Sequence, residues 1–236
     1  MVTQNLEKDL KKRCSECSLR EICLPLGLNT EELQRLEEVV KIRRRVNAGQ
    51  HLFRTKDHFQ TLTVVRSGFF KVYEMSAEGQ EQITAFPMEG ELMGLDAIGT
   101  GAHRGSAVAL ENSDVCDIPF ATLEGLLVHL PRLQHQFHRL LSGEIANNHN
   151  LMAVLGTRNA EHKVAAFLLD LSERLEARGH SPLTIRLPMS REDIGNYLGL
   201  KLETVSRMFS KFRDDGLIVT EGRKVFIRDL KALSLL

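Results

Sequence analysis

The chain has 236 residues, enough for one large domain or two of moderate size, each able to bury its own core. Its 42% hydrophobic and 26% charged residues are ordinary for a globular protein, and a formal net charge of zero excludes attraction to nucleic acid by bulk charge alone. No run of 18 apolar residues exists to cross a membrane, and MVTQNLEKDLKKRC lacks the apolar core of a secretory signal, so the expected location is cytoplasmic with no membrane partner.

Residues 1 to 27 form a polar arm that looks exposed and carries three of the four cysteines, Cys14, Cys17 and Cys23, in CSECSLREIC; the fourth is Cys116. In a reducing cytoplasm, metal ligation or redox thiol chemistry is expected before a disulfide framework. C-x2-C-x5-C plus one distant cysteine gives the four thiolates that suit tetrahedral zinc, or a [4Fe–4S] cubane with one cysteine per iron. Spacing alone does not choose between them. Zinc sites more often pair two C-x2-C knuckles, and a lone strand cysteine such as Cys116 also suits a core.

Asn29-Thr30-Glu31-Glu32 offers a helix cap with acid in the first turn, and Leu33, Leu36, Val39 and Val40 follow at helical spacing. From about 42 to 120 the pattern becomes short apolar or alternating runs, LFRT, TLTVVRSGFFKVYEM, EQITAF and SAVALENSDVCDIP, separated by glycine-bearing turns. This spacing predicts an antiparallel β-sandwich or roll, with Cys116 on a strand. The segment SAEGQE, 76 to 81, is a turn by its chemistry.

From Leu123 the period is helical. Phe137, Leu141, Ile145, Met152 and Leu155 draw a narrow seam containing one polar residue, Asn148, which resembles half of a two-stranded coiled coil and predicts a homodimer. His135 and His138 lie at i, i+3 without a carboxylate to complete a metal set, which favours surface roles. A second amphipathic helix, Ala160 to Arg178, ends before Gly179.

REDIGNYLGLKLETVSRMFS, 191 to 210, has the pattern of a helix-turn-helix. Ile194, Leu198, Leu200, Val205 and Met208 pack two short helices, Gly195 sits where they cross, Gly199 tolerates positive φ in the turn, and Ser190 can cap the first helix. The second helix exposes Glu203, Thr204, Ser206, Arg207 and Lys211, residue types that suit the major groove of double-stranded DNA. Arg207 can give two bonds to guanine, Glu203 can accept from cytosine, and Ser206 can do either. From Arg186 to Arg228, nine Lys or Arg outnumber six Asp or Glu, a local basic bias of +3. LIVTEGRKVFIRD predicts a hairpin turning at Glu221-Gly222, with Arg223 and Lys224 near its tip as a wing.

The order of roll, long helix and winged helix-turn-helix resembles the CRP/FNR superfamily of bacterial transcription regulators. The cysteine pattern, with EQITAF, SGEI, NAE…AAFL, DIGNYLGL and ETVSR, is similar to the oxygen-sensing FNR branch, over nearly the whole chain. The resemblance implies an α+β fold with an antiparallel, jelly-roll-like sensor domain. It divides the chain into an arm (1–27), a β-roll sensor domain (28–125), a dimerisation helix (126–157) and a winged helix-turn-helix domain (158–236). It implies that Cys14, Cys17, Cys23 and Cys116 bind an oxygen-labile [4Fe–4S] cluster, exposed to oxygen on a flexible arm. It also implies that Glu203, Ser206 and Arg207 read a TTGAT-type half-site, and that the 76–81 loop contacts RNA polymerase.

Where the cyclic-nucleotide branch uses a Gly-Glu and an Arg-Ser pair, alignment on Gly94 gives Leu95 and Gly105, with Ser106 kept and Arg104 one place out. No arginine fork remains for a phosphate, so no cyclic nucleotide is expected. The FNR pattern places a seam aspartate where this chain has Asn148, which implies readier dimerisation of the cluster-free protein. Two rival readings keep their place: the same DNA-binding scaffold with structural zinc or a thiol–disulfide switch, and a dithiol oxidoreductase using Cys14 and Cys17. The latter lacks a thioredoxin-like βαβ context and any general-base constellation, so no enzyme is expected.

Overall fold

A computed structural model describes residues 14–40, 42–157 and 159–236. The first 13 residues of the expected arm lie outside the described residues, as do Lys41 and Arg158. The fold is α+β, in two compact units. One holds the described residues up to Gln80 and Thr84–Glu144; the other holds Glu81–Ile83 and Ile145–Leu236.

In the first unit, helix α1 (Thr30–Val39) opens with a reciprocal cap. The Asn29 side chain accepts the Glu32 N–H at 2.9 Å, and the Glu32 carboxylate accepts the Asn29 N–H at 2.8 Å. The buried stripe is the expected one, Leu33, Leu36 and Val39. Eight strands follow: β1 (Ile42–Val46), β2 (His51–Phe53), β3 (Thr61–Ser67), β4 (Phe70–Met75), β5 (Glu81–Ala85), β6 (Leu92–Met93), β7 (Ser106–Ala109) and β8 (Ser113–Pro119). They form two four-stranded sheets, ordered β1-β8-β3-β6 and β2-β7-β4-β5.

Period-2 alternation gives the first sheet two apolar faces. Val65 and Val115 point at the second sheet and pack with Phe70, Ala107 and Ala109. Leu62, Val64 and Ile118 point the other way, into a core shared with α1 and with residues from the next two helices. Cys116 is half-buried on this outer face.

Helix α2 (Phe120–His129) stops at Leu130, and α3 (Pro131–Gly156) starts afresh. The long helix therefore begins at Pro131, later than the expected 126. A proline has no N–H to continue the preceding helix but suits a first helical position.

The seam needs a correction. Phe137 is 6% exposed and packs in its own unit's core with Leu24, Leu28 and Leu133, and Leu141 is half-buried against the same core. The first third of α3 thus spends its apolar face on the roll. Beyond it, Ile145 and Met152 are 57% and 59% exposed, Asn148 lies exposed between them, and Leu155 is half-buried.

In the second unit, α4 (Ala160–Glu176) is capped by Asn159, whose side chain accepts the N–H of Glu161 and of His162. Then come β9 (Thr184–Arg186), α5 (Arg191–Leu198), α6 (Leu202–Asp214), β10 (Ile218–Glu221), β11 (Lys224–Ile227) and α7 (Leu230–Ser234). The sheet order β10-β11-β9 gives the expected wing an unexpected third strand. A three-residue strand between two prolines shows no period; it forms because β11 offers it an edge. Glu221 pairs with Lys224, so the turn is Gly222-Arg223, one residue later than expected, with Gly222 at φ +59°.

Candidate functional site

From Cys14 onward the arm is packed rather than exposed. Leu19, Leu24 and Leu28 are buried, so turns around Cys14–Glu16 and Cys17–Leu28 lie on the roll instead of in solvent. The chain climbs through single-turn bonds, among them Cys17 N–H to Cys14 carbonyl at 3.2 Å and Cys23 N–H to Leu19 carbonyl at 3.0 Å. The arm also touches Gly90, where an added Cβ would stand 2.7 Å from Ile22 Cδ1. From α3, buried Gln136 donates to the Cys23 carbonyl at 3.2 Å.

This packing brings Cys14, Cys17 and Cys23 to one pocket with Cys116 of β8. Leu24, Leu36, Val40, Val64 and Ile118 supply apolar walls. The pocket volume is about 40 Å³, several times the roughly 10–15 Å³ that one water needs. All four cysteines are free thiols. Burial pushes the Cys14 thiol up to about 11, and burial likewise raises Cys23 and Cys116. These thiols hold their protons at neutral pH, so any metal must displace them. Among the described residues, no three His, Cys, Asp or Glu side chains form a ready-made site for a metal ion, while all four thiols line the one pocket. Four soft sulfur donors around an apolar space fit a multi-iron cluster with one thiolate per iron.

Sequence reasoning missed two residues here. Arg43 lies opposite Cys116 in the β1·β8 register and reaches Cys14 Sγ at 3.9 Å from Nη2. Arg66 lines the same pocket from β3. Its signal was a charge on the Leu62–Val64 face of an otherwise apolar strand.

The residues expected to read DNA stand on α6, which packs against α5. Ser190 and Asp193 cap α5 reciprocally, and Gly199 ends it at φ +63°. An added Cβ at Gly195 would stand 2.7 Å from the Leu200 carbonyl oxygen, so the crossing requires glycine. Buried Lys163 of α4 donates to the Leu198 carbonyl at 3.1 Å, placing a cation at the C-terminus of α5. Ile194, Leu198 and Val205 are buried as expected, but Phe209 and Phe212 fill the place expected of Met208, which is half-buried. Arg191 stacks on Phe209, 3.3 Å from the ring centroid; burial lowers its pKa to about 10, so it stays charged at neutral pH.

On the opposite face of α6, Glu203, Ser206, Arg207 and Lys211 are exposed, and Thr204 is half-buried, accepting a 3.4 Å bond from Arg207. Lys211 is ion-paired with Glu161 of α4, an exposed contact that costs little to exchange for a phosphate. Arg223 and Lys224 are exposed at the wing tip. His135 and His138 are exposed on α3.

At the positions of a cyclic-nucleotide phosphate clamp, Gly105 has no room for a side chain: a Cβ there would stand 2.8 Å from the Tyr73 carbonyl oxygen. Ser106 is buried, and its hydroxyl is engaged by the Thr55 N–H and hydroxyl. A polar cavity of about 230 Å³ does lie in the roll, but its guanidinium, Arg44, is bound to Asp117 at 2.6 Å.

Two family models match the chain: the Crp-like helix-turn-helix domain over residues 162–236, and the cyclic nucleotide-binding domain over 43–129. The chain is 43% identical over 221 residues to the fumarate and nitrate reduction regulatory protein of Escherichia coli (strain K12), covering 94% of this chain and 88% of the relative. Identity is also 43%, over 223 residues, to the protein of that name from Salmonella typhimurium, covering 94% and 89%. Among solved structures, FixK2 from Bradyrhizobium japonicum aligns with a TM-score of 0.75 and 29% identity, over 83% of this chain and 96% of that one. A CRP-family transcriptional regulator from Thermus thermophilus aligns at 0.64 and 23% over 81% and 95%, a likeness of fold.

Proposed function

Because the chain belongs to the FNR branch of the CRP/FNR family of transcription regulators, we propose that it binds a two-fold DNA site as a homodimer when Cys14, Cys17, Cys23 and Cys116 hold a [4Fe–4S] cluster, and so controls genes of low-oxygen metabolism. The observation that carries this reading is the single pocket lined by three arm cysteines and a strand cysteine 93 residues beyond Cys23. When bound, the cluster supplies a centre that oxygen destroys.

The chain's own residues give that event a route outward. Cys23's carbonyl takes the Gln136 amide, and Leu24 packs with Leu133 and Phe137. Any rearrangement of the Cys23 turn therefore bears on the start of α3, whose far half carries the exposed Ile145–Asn148–Met152 stripe. A helix that presents two exposed apolar residues two turns apart suits a second copy of itself. The cluster-bound arrangement of the turn favours the dimer, and the dimer spaces two α6 helices for half-sites one helical turn apart.

On α6, Arg207 reads guanine and Glu203 accepts from cytosine, with Ser206 and Thr204 beside them, in half-sites of the TTGAT type. Lys211, Arg223 and Lys224 meet phosphates. The division of labour is arm and roll for sensing (1–27, 28–125), the helix to 157 for dimerisation, and 158–236 for DNA. The 76–81 turn contacts RNA polymerase; it is held by the Ser76 hydroxyl, which accepts from the N–H groups of Glu78 and Gln80. The roll takes no cyclic nucleotide, since position 105 admits no arginine and Ser106 is spent on Thr55. The protein acts in the cytoplasm by binding rather than catalysis; no helix among the described residues is long and apolar enough to cross a membrane.

The test is anaerobic purification with iron, sulfide and zinc analysis. Close to four irons and four sulfides per chain, with a band at about 400 nm, supports the reading. One zinc per chain, or a reversible disulfide with no iron, overturns it in favour of a structural or thiol-switch arm.

A further inference from the structure

The β3·β8 register shifts between Val65 and Ser67: Val65 pairs with Val115, Ser67 with Asp114, and Arg66 is the extra residue of a bulge. Arg66 sits at this bulge and lines the cysteine pocket, on the same face as Leu62 and Val64, among Val64, Cys116 and Ile118. Its Nη1 is buried and makes no hydrogen bond to any group among the described residues. A buried, unpaired guanidinium N–H is costly, and natural proteins rarely leave one without a partner. Across the pocket, Arg43 already points Nη2 at Cys14 Sγ, 3.9 Å away, from a place directly opposite Cys116 in the sheet. Two cations from neighbouring parts of one sheet therefore face the same four thiols.

Resting on the reading that these thiols hold an iron–sulfur cluster, we infer that Arg66, with Arg43, supplies the positive charge and N–H donors that retain that cluster. Four thiolates outweigh the charge of the iron–sulfide core, leaving an anion of about −2 in an apolar pocket. Such an anion needs a counter-charge, and Arg66 needs an acceptor; each meets the other's deficit. The arginines are positioning residues and not ligands. Arg45, two residues along β1, makes the contrast: its guanidinium is held by Asp114 at 3.1 Å and does not line the pocket.

The experiment uses the full chain, purified without oxygen, as wild type, Arg66→Gln, Arg66→Lys, Arg43→Gln and Arg45→Gln. The cluster absorbance is followed after adding an iron chelator anaerobically, and the midpoint potential is recorded. Expected is about tenfold faster loss for Arg66→Gln, a smaller acceleration for Arg43→Gln, and near-wild-type rates for Arg66→Lys and Arg45→Gln. The potential of Arg66→Gln falls, because reduction adds negative charge that no longer has its cation. The apo form of Arg66→Gln melts no lower than wild-type apo protein, since an orphaned cation has been removed; a purely structural arginine would melt lower. Equal retention and potential in wild type and Arg66→Gln overturn the inference while the cluster reading stands. A wild-type protein that takes up no iron overturns both.

Discussion

The cysteine pocket and the exposed face of α6 both gather chemically active side chains, and they are built in opposite ways. In the pocket, side chains are withdrawn from water: Cys14 is pushed to about 11, and Arg66 keeps a buried Nη1 without a partner among the described residues. On α6 the groups proposed to read DNA stand in solvent, and the burial goes to the supporting side, Val205, Phe209 and Phe212. Burial makes a site respond strongly to a change of charge, because low dielectric magnifies it. Exposure makes a site exchangeable, able to swap water for bases and phosphates. A sensor needs the first property and a reader needs the second.

The largest separation of the two comes from removing one strand thiol. Cys116→Ala should abolish the visible chromophore after anaerobic purification, while the second unit keeps the wild-type far-ultraviolet signal. Retention of a full four-iron complement would remove Cys116 from the ligand set.

Thiol protection should come next in size. With Cys14 raised from 9.0 to about 11, its thiolate fraction near pH 8 falls about a hundredfold, so iodoacetamide should modify Cys14 in the apo protein about a hundredfold more slowly than in denatured protein. The sign follows from the raised value: the folded state holds a proton that the unfolded state gives up near pH 9. Apo stability from this group is thus present below pH 9 and is lost as the pH climbs towards 11. Mass-spectrometric alkylation rates at pH 7, 8 and 9 should rise about tenfold per unit; a flat, fast profile would mean an exposed arm.

On the reader, Arg207→Ala should cost about 10- to 100-fold in affinity for a TTGAT-type site and relax discrimination at one base, with iron content unchanged. Fluorescence anisotropy on matched and single-base-substituted duplexes measures it; a uniform loss on all sequences would make Arg207 a phosphate contact.

Smaller still is the effect on the helix crossing and the seam. Gly195→Ala should destabilise the second unit by about 1–3 kcal/mol, seen in its melting, because the new methyl meets the Leu200 carbonyl. Asn148→Asp should shift apo protein towards monomer in analytical ultracentrifugation, by setting like charges on the exposed stripe of α3. A variant that dimerises as readily as wild type would take Asn148 out of the interface.

Much of this was legible in the chain. The capping residues Asn29 and Ser190, the glycines at 195 and 199 and the alternation of β3 and β8 all carry local chemistry that fixes local structure. What was not legible depends on register and on competition for a face. The pairing of Arg43 with Cys116 is 73 residues apart and set by strand alignment. Phe137 satisfies the same spacing as a seam residue, but the roll and Leu24 claim it first. The arm's composition is polar, yet Leu19 and Leu24 anchor it, with Leu28 buried just beyond its end. Spacing identifies which residues share a stripe, and packing decides what the stripe faces.

The most direct measurement follows cluster absorbance and DNA anisotropy together in one anaerobic cuvette as air is admitted. The account predicts that affinity for a two-fold TTGAT-type site falls in step with the absorbance at about 400 nm and is restored when the cluster is rebuilt. Affinity that stays constant while the chromophore bleaches would contradict it.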